Sequence, residues 1–271
     1  MIDCHLHLQD SAFDEVREKV VGDLRRAGVR RLVVNGTGPE DWDEVSGLAG
    51  RITEVIPFYG VHPWKSDHLP ENWEDVLRQL LSKSQKSGVG EIGLDKWIRH
   101  HDIEKQRDIF LRQLKIADEL SRAVTVHCLK AWGHLLDCLR ISGLSRPFLL
   151  HSYTGPAELI SELIELGAYF SLSGYFFREE KAAKLELFES IPDERILLET
   201  DAPEMMPPMR LVRDRLPDQA DGREVNHPAN IVAIYEAFAS WRGISMRDCC
   251  LRMDRNFSAW YGQTTGREPL Q

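Results

Sequence analysis

Two histidines stand two residues apart in Asp3-Cys4-His5-Leu6-His7. In an extended strand the side chains alternate faces, so His5 and His7 point the same way and present two imidazoles, half of a metal site. More groups of the same chemistry follow. Glu91 lies in Gly90-Glu91-Ile92-Gly93-Leu94-Asp95. His127 closes the apolar run that starts at Val124, His151 follows Phe148-Leu149-Leu150, and Asp201 follows Leu197-Leu198-Glu199-Thr200. Taken singly, each has a structural explanation: a histidine ending an apolar strand can bond a backbone carbonyl, and an aspartate before Ala-Pro can cap a turn. Taken together, His5, His7, Glu91, His127, His151 and Asp201 argue for one shared centre.

This donor set is nitrogen and oxygen with no thiolate. It suits zinc, manganese or magnesium and argues against a structural cysteine-rich site. Six ligands are too many for one catalytic ion with open positions. Two divalent ions bridged by one carboxylate accommodate them, and such a pair neutralises charge on both the attacking and the leaving oxygen of a phosphodiester.

The elements that must position these residues alternate along the chain. Strands are expected near Ile2–His7, Arg31–Asn35, Ile56–Val61, Val89–Gly93, Val124–His127, Phe148–His151, Tyr169–Leu172 and Ile196–Thr200. Between them, Glu71–Ser84, Asp102–Leu120, Ala131–Ile141, Pro156–Leu166 and Glu180–Ser190 carry apolar residues at helical spacing. Eight strand–helix units in this length describe a closed (β/α)8 TIM barrel, with an open doubly wound sheet as the alternative. No GxGxxG follows the first strand, so nothing favours a dinucleotide fold. In the barrel, every proposed ligand sits where a strand meets its C-terminal loop, the rim on which barrel enzymes keep their active sites. Ala229–Trp241 and Ser245–Tyr261 read as extra C-terminal helices packed outside the barrel, with Ser245 as an N-cap. The whole chain, 1–271, reads as one domain. Pro203–Pro228 departs from the alternation: its five prolines and many charges predict a long irregular loop.

Bulk properties limit the alternatives. The 271 residues are 42% hydrophobic and 28% charged, ordinary soluble composition. No apolar run reaches the roughly 18 residues of a membrane span, and the N-terminus carries no secretory pattern. Five cysteines without a CxxC pair read as reduced, which points to the cytoplasm, with Cys249-Cys250 a buried helical pair. A net charge of −9 disfavours an extended basic groove for nucleic acid but leaves room for a small phosphate site where cations supply the positive charge. A monomer is the default expectation.

These motifs, with Gly60-Val61-His62-Pro63, Val126-His127-Cys128, Leu150-His151-Ser152-Tyr153-Thr154-Gly155 and Leu198-Glu199-Thr200-Asp201-Ala202-Pro203, resemble the TatD family of metal-dependent deoxyribonucleases of the amidohydrolase superfamily. The resemblance runs in order along essentially the whole chain. It implies one ion held by His5, His7 and Asp201, a second held by His127 and His151, and Glu91 bridging both. Asp201 would also orient or deprotonate the attacking water, and His62 would face the substrate phosphate. Asp95 and Glu199 would orient ligands. The implied activity is 3'-5' exonuclease action on DNA ends or short single strands. Trp64, Trp97, Tyr153 and Tyr175 lie near the expected rim and could stack on bases.

Two positions depart from the family pattern. Leu129 stands where an arginine is usual, and Asn226-His227-Pro228 replaces the usual Asn-Glu-Pro. Neither touches a proposed ligand. A related metallohydrolase acting on an amide, ester or lactone is the alternative function; many such enzymes bridge their ions with a carbamylated lysine, where this chain offers Glu91. A metal-binding scaffold without catalysis is a third reading, opposed by the presence of all six ligands.

Overall fold

The computed structural model describes residues 1–100, 102–217 and 222–262. Eight parallel strands follow one another around a barrel: β1 (Ile2–Leu6), β2 (Arg31–Asn35), β3 (Val55–Tyr59), β4 (Gly88–Asp95), β5 (Val124–Leu129), β6 (Phe148–Leu150), β7 (Ala168–Ser173) and β8 (Ile196–Glu199). Each pairs with the next in sequence order, the arrangement that short strand–helix–strand connections favour. The strands are buried almost throughout, as expected for a parallel sheet covered on its outer face.

The seam between β8 and β1 closes just beyond the strand ends. The Asp201 N–H donates to His5 O at 3.0 Å, and the His7 N–H donates to Ala202 O at 2.8 Å. Lower down, the buried Asp3 carboxylate stands in for backbone and accepts from the Thr200 N–H (3.0 Å) and hydroxyl (2.5 Å). This seam sets Asp201 beside His5 and His7. The β4–β5 approach is equally tight. Gly93 has φ +147°, and a Cβ there would lie 1.9 Å from His127 O, so only glycine lets His127 come this close.

Helices cover the outside: α1 (Arg17–Arg26), α2 (Trp42–Arg51), α3 (Trp73–Lys83), α4 (Ile103–Glu119), α5 (Trp132–Ser142), α6 (Ile160–Glu165), α7 (Ala182–Leu187), α8 (Ile231–Arg242) and α9 (Met246–Tyr261). Four details differ from the sequence expectation. First, α1 and α2 lie in segments given no helix, because α1 holds few apolar residues among its charges and α2 contains Gly47 and Gly50. Second, the stretch Glu180–Ser190 is broken into α7 and two flanking 3-10 turns, and Pro156–Leu166 into a 3-10 turn at Ala157–Leu159 followed by α6. Third, β1 stops at Leu6, β3 at Tyr59, β6 at Leu150 and β8 at Glu199, so His7, Val61, His151 and Thr200 lie just past their strands. Fourth, α9 does more than cover the outer wall. Its Phe257, Trp260 and Tyr261 join Ile2, Cys4, Val33, Phe58, Leu149 and Leu197 in a separate buried cluster that fills the N-terminal end of the barrel.

Ser245 caps α9 as expected, accepting from the Asp248 N–H at 3.0 Å. Of the cysteine pair, Cys249 is buried and Cys250 half-buried, and all five cysteines are free thiols. The loop from Pro203 to Pro228 is irregular, with one 3-10 turn at Met209–Leu211; residues 218–221 of it, and the end of the expected domain at 263–271, lie outside the described residues. Among the described residues no helix is long and apolar enough to cross a membrane.

Candidate metal centre at the barrel mouth

The six expected ligands converge at the C-terminal end of the barrel, and the two oxygens of Glu91 divide them. Glu91 Oε2 lies 3.4 Å from His5 Nε2 and 3.3 Å from His7 Nε2. Glu91 Oε1 lies 3.0 Å from His127 Nδ1 and 2.8 Å from His151 Nε2. Asp201 Oδ1 completes the first group, 3.5 Å from His5 and 3.6 Å from His7. Asp201 holds this position from a left-handed backbone, φ +52°, which aspartate tolerates better than most residues.

The ring orientations explain why so many nitrogens can meet. His7 Nδ1 donates to Asn35 O at 2.8 Å, leaving the Nε2 lone pair aimed at the centre. His127 does the reverse: Nε2 faces Asp95 Oδ2 at 3.2 Å and Nδ1 points inward. His5 Nε2 and His7 Nε2 then stand 3.3 Å apart, and His127 Nδ1 and His151 Nε2 3.1 Å apart. Nitrogen lone pairs that close repel unless a proton or a cation lies between them.

The donor set fits a divalent ion. Ligand atoms about 2.0–2.1 Å from a tetrahedral zinc are about 3.3–3.4 Å from each other. The His5–His7 edge and the edges from each of these histidines to Glu91 and to Asp201 run from 3.3 to 3.6 Å. His5, His7 and Asp201 form one cluster of metal-ligand geometry; His62, Glu91 and His127 form another. His5, His151 and Glu199 make a third on the far edges of the imidazoles.

Without cations, the charges balance among the residues themselves. Burial works to raise the Glu91 carboxyl, but His151, His62 and His5 outweigh it and hold it well below the ordinary range. Burial works to lower His7, but hydrogen bonds to Asp201 and Glu91 carry it well above 6.5. His151 is likewise raised against its burial, chiefly by Glu91 and Glu199. His5 moves the other way, lowered by burial and by His151.

Asp95 and Glu199 stand behind the ligands as expected. Asp95 Oδ2 accepts from Trp64 Nε1–H at 2.7 Å besides facing His127, and its Oδ1 accepts the Trp97 N–H at 2.6 Å. Burial opposes, but these bonds hold the Asp95 carboxyl down at about 2. Glu199 Oε1 accepts from the Ser152 N–H and hydroxyl and lies 3.8 Å from His151 Nδ1. The Asn35 carbonyl that orients His7 was missed in the sequence. Its signal was a polar residue closing the apolar run of β2 at the same rim.

His62 also enters the site, with Nε2 3.6 Å from Glu91 Oε1. Its Nδ1 accepts the Trp64 N–H, and burial pushes its pKa down to about 3, so the ring is neutral and carries its proton on Nε2. A cleft of about 470 Å³ opens above these residues, bordered by His7, His62, Trp64, His127, His151 and Asp201. The basic side chains at its mouth are paired: Lys65 with Glu40 at 2.6 Å and Arg223 with Glu204 at 2.8 Å.

Of the four expected rim aromatics, Trp64 and Trp97 are exposed. Tyr175 is half-buried beneath Arg178 and Lys181. Tyr153 is fully buried and does not reach the rim: its hydroxyl donates to Pro156 O and its ring packs on Trp132 and Phe170. Leu129 is half-buried on β5, in register with Asp95. His227 is remote from the ligands; its Nε2 lies 3.1 Å from Asp23 Oδ2 on α1.

A parallel eight-stranded barrel with histidines and carboxylates gathered at the C-terminal strand ends has the architecture of a barrel metallohydrolase. A family model described as TatD related DNase matches residues 2–262, and the chain belongs to that family. It is 32% identical over 268 residues to the 3'-5' ssDNA/RNA exonuclease TatD of Citrobacter koseri, a match spanning 97% of this chain and 99% of that protein. Its fold is similar to the crystal structure of YjjV, a TatD homologue from Escherichia coli, with TM-score 0.86 and 23% identity over 97% of this chain and 98% of that one. A TatD family hydrolase from Entamoeba histolytica matches with TM-score 0.85 and 20% identity over 96% and 97%.

Proposed function

We propose that this chain is a divalent-metal-dependent phosphodiesterase that removes nucleotides from the 3' ends of short single-stranded DNA. The observation that carries the reading is the division of labour within Glu91, one carboxylate oxygen facing His5 and His7 and the other facing His127 and His151. That arrangement suits two ions sharing a bridge, of zinc, manganese or magnesium. His5, His7 and Asp201 would hold one, and His127 and His151 the other. Bound there, such a pair lowers the pKa of water and neutralises charge on the attacking and leaving oxygens.

The chain's own residues supply the rest. Asp201 is held ionised, its burial outweighed by His7, His151 and His5, so it can accept the proton of an attacking water. The water oxygen bonds to phosphorus as the phosphorus–oxygen bond to the shortened strand breaks, and the proton passes on to that strand's new 3' oxygen, so the phosphate departs with the terminal nucleotide. His62, neutral with its proton on Nε2, donates a hydrogen bond to a phosphate oxygen. Paired cations at the cleft mouth leave little net positive charge for a long polyanion, which favours ends and short strands. We place the protein in the cytoplasm as a monomer, with its thiols free.

Protein stripped with EDTA and reloaded with manganese, zinc or magnesium is offered 5'-labelled single-stranded DNA, duplex DNA, RNA and a lactone panel. The reading expects a ladder shortened one nucleotide at a time from the 3' end, abolished by EDTA. Turnover of lactones with no cleavage of DNA would replace it with the alternative hydrolase activity.

A further inference from the structure

Trp64 is 54% exposed, an unusual position for an indole whose N–H is already tied down. Its Nε1–H donates to Asp95 Oδ2 at 2.7 Å, and its ring meets His62 edge to face at 5.1 Å. The first residues after His62 form a 3-10 turn, Pro63–Lys65, so the backbone beneath the ring is fixed as well. An aromatic side chain held at both its edge and its backbone, yet open on its face, has lost its rotamer freedom in advance. Stacking a flat ligand on it then costs little further entropy.

Its place decides which ligand. The ring borders the same cleft as His7, His127, His151 and Asp201. The Asp95 carboxylate that holds it also holds His127 Nε2 at 3.2 Å. On the adjoining strand end the register partner of Asp95 is the half-buried Leu129. A phosphate placed at the carboxylate–histidine centre therefore has an uncharged aromatic platform beside it. The geometry points to Trp64 as the stacking platform for a nucleobase next to the scissile phosphate, the residue that makes the site prefer base-bearing single strands over base-free phosphodiesters. This rests on the phosphodiesterase reading, deepens it by assigning its substrate recognition, and casts Trp64 as a specificity-determining residue. Every nucleobase has a stacking face, so the preference is for an unpaired base of any identity; duplex DNA, whose bases are already stacked, is disfavoured.

Trp97 provides the internal comparison. It is 59% exposed and its backbone N–H, not its indole, is held by Asp95 Oδ1, but it does not border the cleft. The probes are trithymidylate and the same trinucleotide backbone with abasic tetrahydrofuran sites. Binding to the metal-loaded protein is read by stopped-flow indole fluorescence before turnover sets in, so that it is independent of cleavage. Wild-type protein is expected to bind trithymidylate roughly tenfold or more tightly than the abasic probe, with quenching. Trp64→Ala should bring that ratio close to one and remove the quench. Trp64→Phe, which keeps a stacking face but lacks the N–H for Asp95, should restore most of the ratio. Trp97→Phe should keep the quench. The proposal is overturned if the ratio survives in Trp64→Ala, if the quench disappears in Trp97→Phe instead, or if Trp64→Phe is as poor as Trp64→Ala. That last result would mean that the indole acts only as a prop for Asp95. Absence of cleavage of either probe by metal-loaded wild type, with the binding ratio intact, would count against the phosphodiesterase reading and leave the platform standing.

Discussion

The Asp95 carboxylate meets His127 on the ring edge opposite Glu91: Oδ2 lies 3.2 Å from Nε2, while Nδ1 lies 3.0 Å from Glu91. The contact fixes which nitrogen of His127 carries the proton and which presents a lone pair. A carboxylate behind a ligating histidine usually sets its tautomer and raises its basicity. Asp95→Asn keeps the shape but loses the charge. It should weaken binding at the His127–His151 side by about 10–100-fold and leave the His5–His7 side close to wild type. Competition titrations with a chromophoric chelator resolve the two affinities; two unchanged constants would remove Asp95 from this role.

Glu91→Gln removes the shared charge while leaving the barrel core untouched. Far-ultraviolet circular dichroism should be unchanged. Metal analysis should show the loss of at least one ion, and turnover should fall by more than the roughly 100-fold seen for supporting residues. Full metal content together with full activity in this variant would refute the bridge.

Stability should depend on pH and on cations in opposite ways. In the metal-free protein the raised pKa values of His7 and His151 contribute stability that is complete below pH 6.5 and is lost as pH rises through those values. The depressed Glu91 contributes stability that is complete above pH 4.5 and is lost as pH falls through its folded value. Between those limits, protonated imidazoles do the work that cations do at higher pH. Added manganese must displace those protons, so the rise in Tm that it produces should be larger at about pH 8 than at about pH 6. Scanning calorimetry across that range measures it, and a larger gain at the acid end would contradict the assignment.

His227 ties the end of the long loop to the outer wall. Its Nδ1 accepts the Ala229 N–H at 3.0 Å, and its Nε2 donates to Asp23 Oδ2 at 3.1 Å. Burial lowers its pKa, so the ring is neutral and this single tautomer satisfies both bonds. His227→Ala should cost about 1–3 kcal/mol, or about 2–4 °C in Tm for each kcal/mol. His227→Glu, the residue usual in the family, would set a second carboxylate against Asp23 and should cost more, with part of the loss recovered in Asp23→Asn/His227→Glu. A double variant that loses the sum of what Asp23→Asn and His227→Glu lose singly would show that the two positions are uncoupled.

Much of this architecture is legible in the sequence for a simple reason. Barrel strands are short apolar runs, and a polar residue that ends such a run stands out. His127, His151 and Asp201 declare themselves that way, and His5 and His7 by their i, i+2 spacing. Features that depend on distant partners do not declare themselves. Asp23 and His227 are 204 residues apart, and nothing local to Trp64 reveals that its indole reaches Asp95. Tyr153 looks like a rim aromatic by position, yet its hydroxyl finds Pro156 O only three residues on, which turns the ring inward. The plug formed by α9 escaped for the same reason: the open end of the barrel that it fills exists only once all eight strands have closed.

In the proposed centre, five separate stretches of chain hold two cations around one carboxylate. Anomalous diffraction at the zinc edge, from crystals grown with zinc, tests it most directly. Two peaks per chain are expected to flank Glu91, one within bonding distance of His5, His7 and Asp201, and the other within bonding distance of His127 and His151. A single peak away from Glu91, or none at these residues, would contradict it.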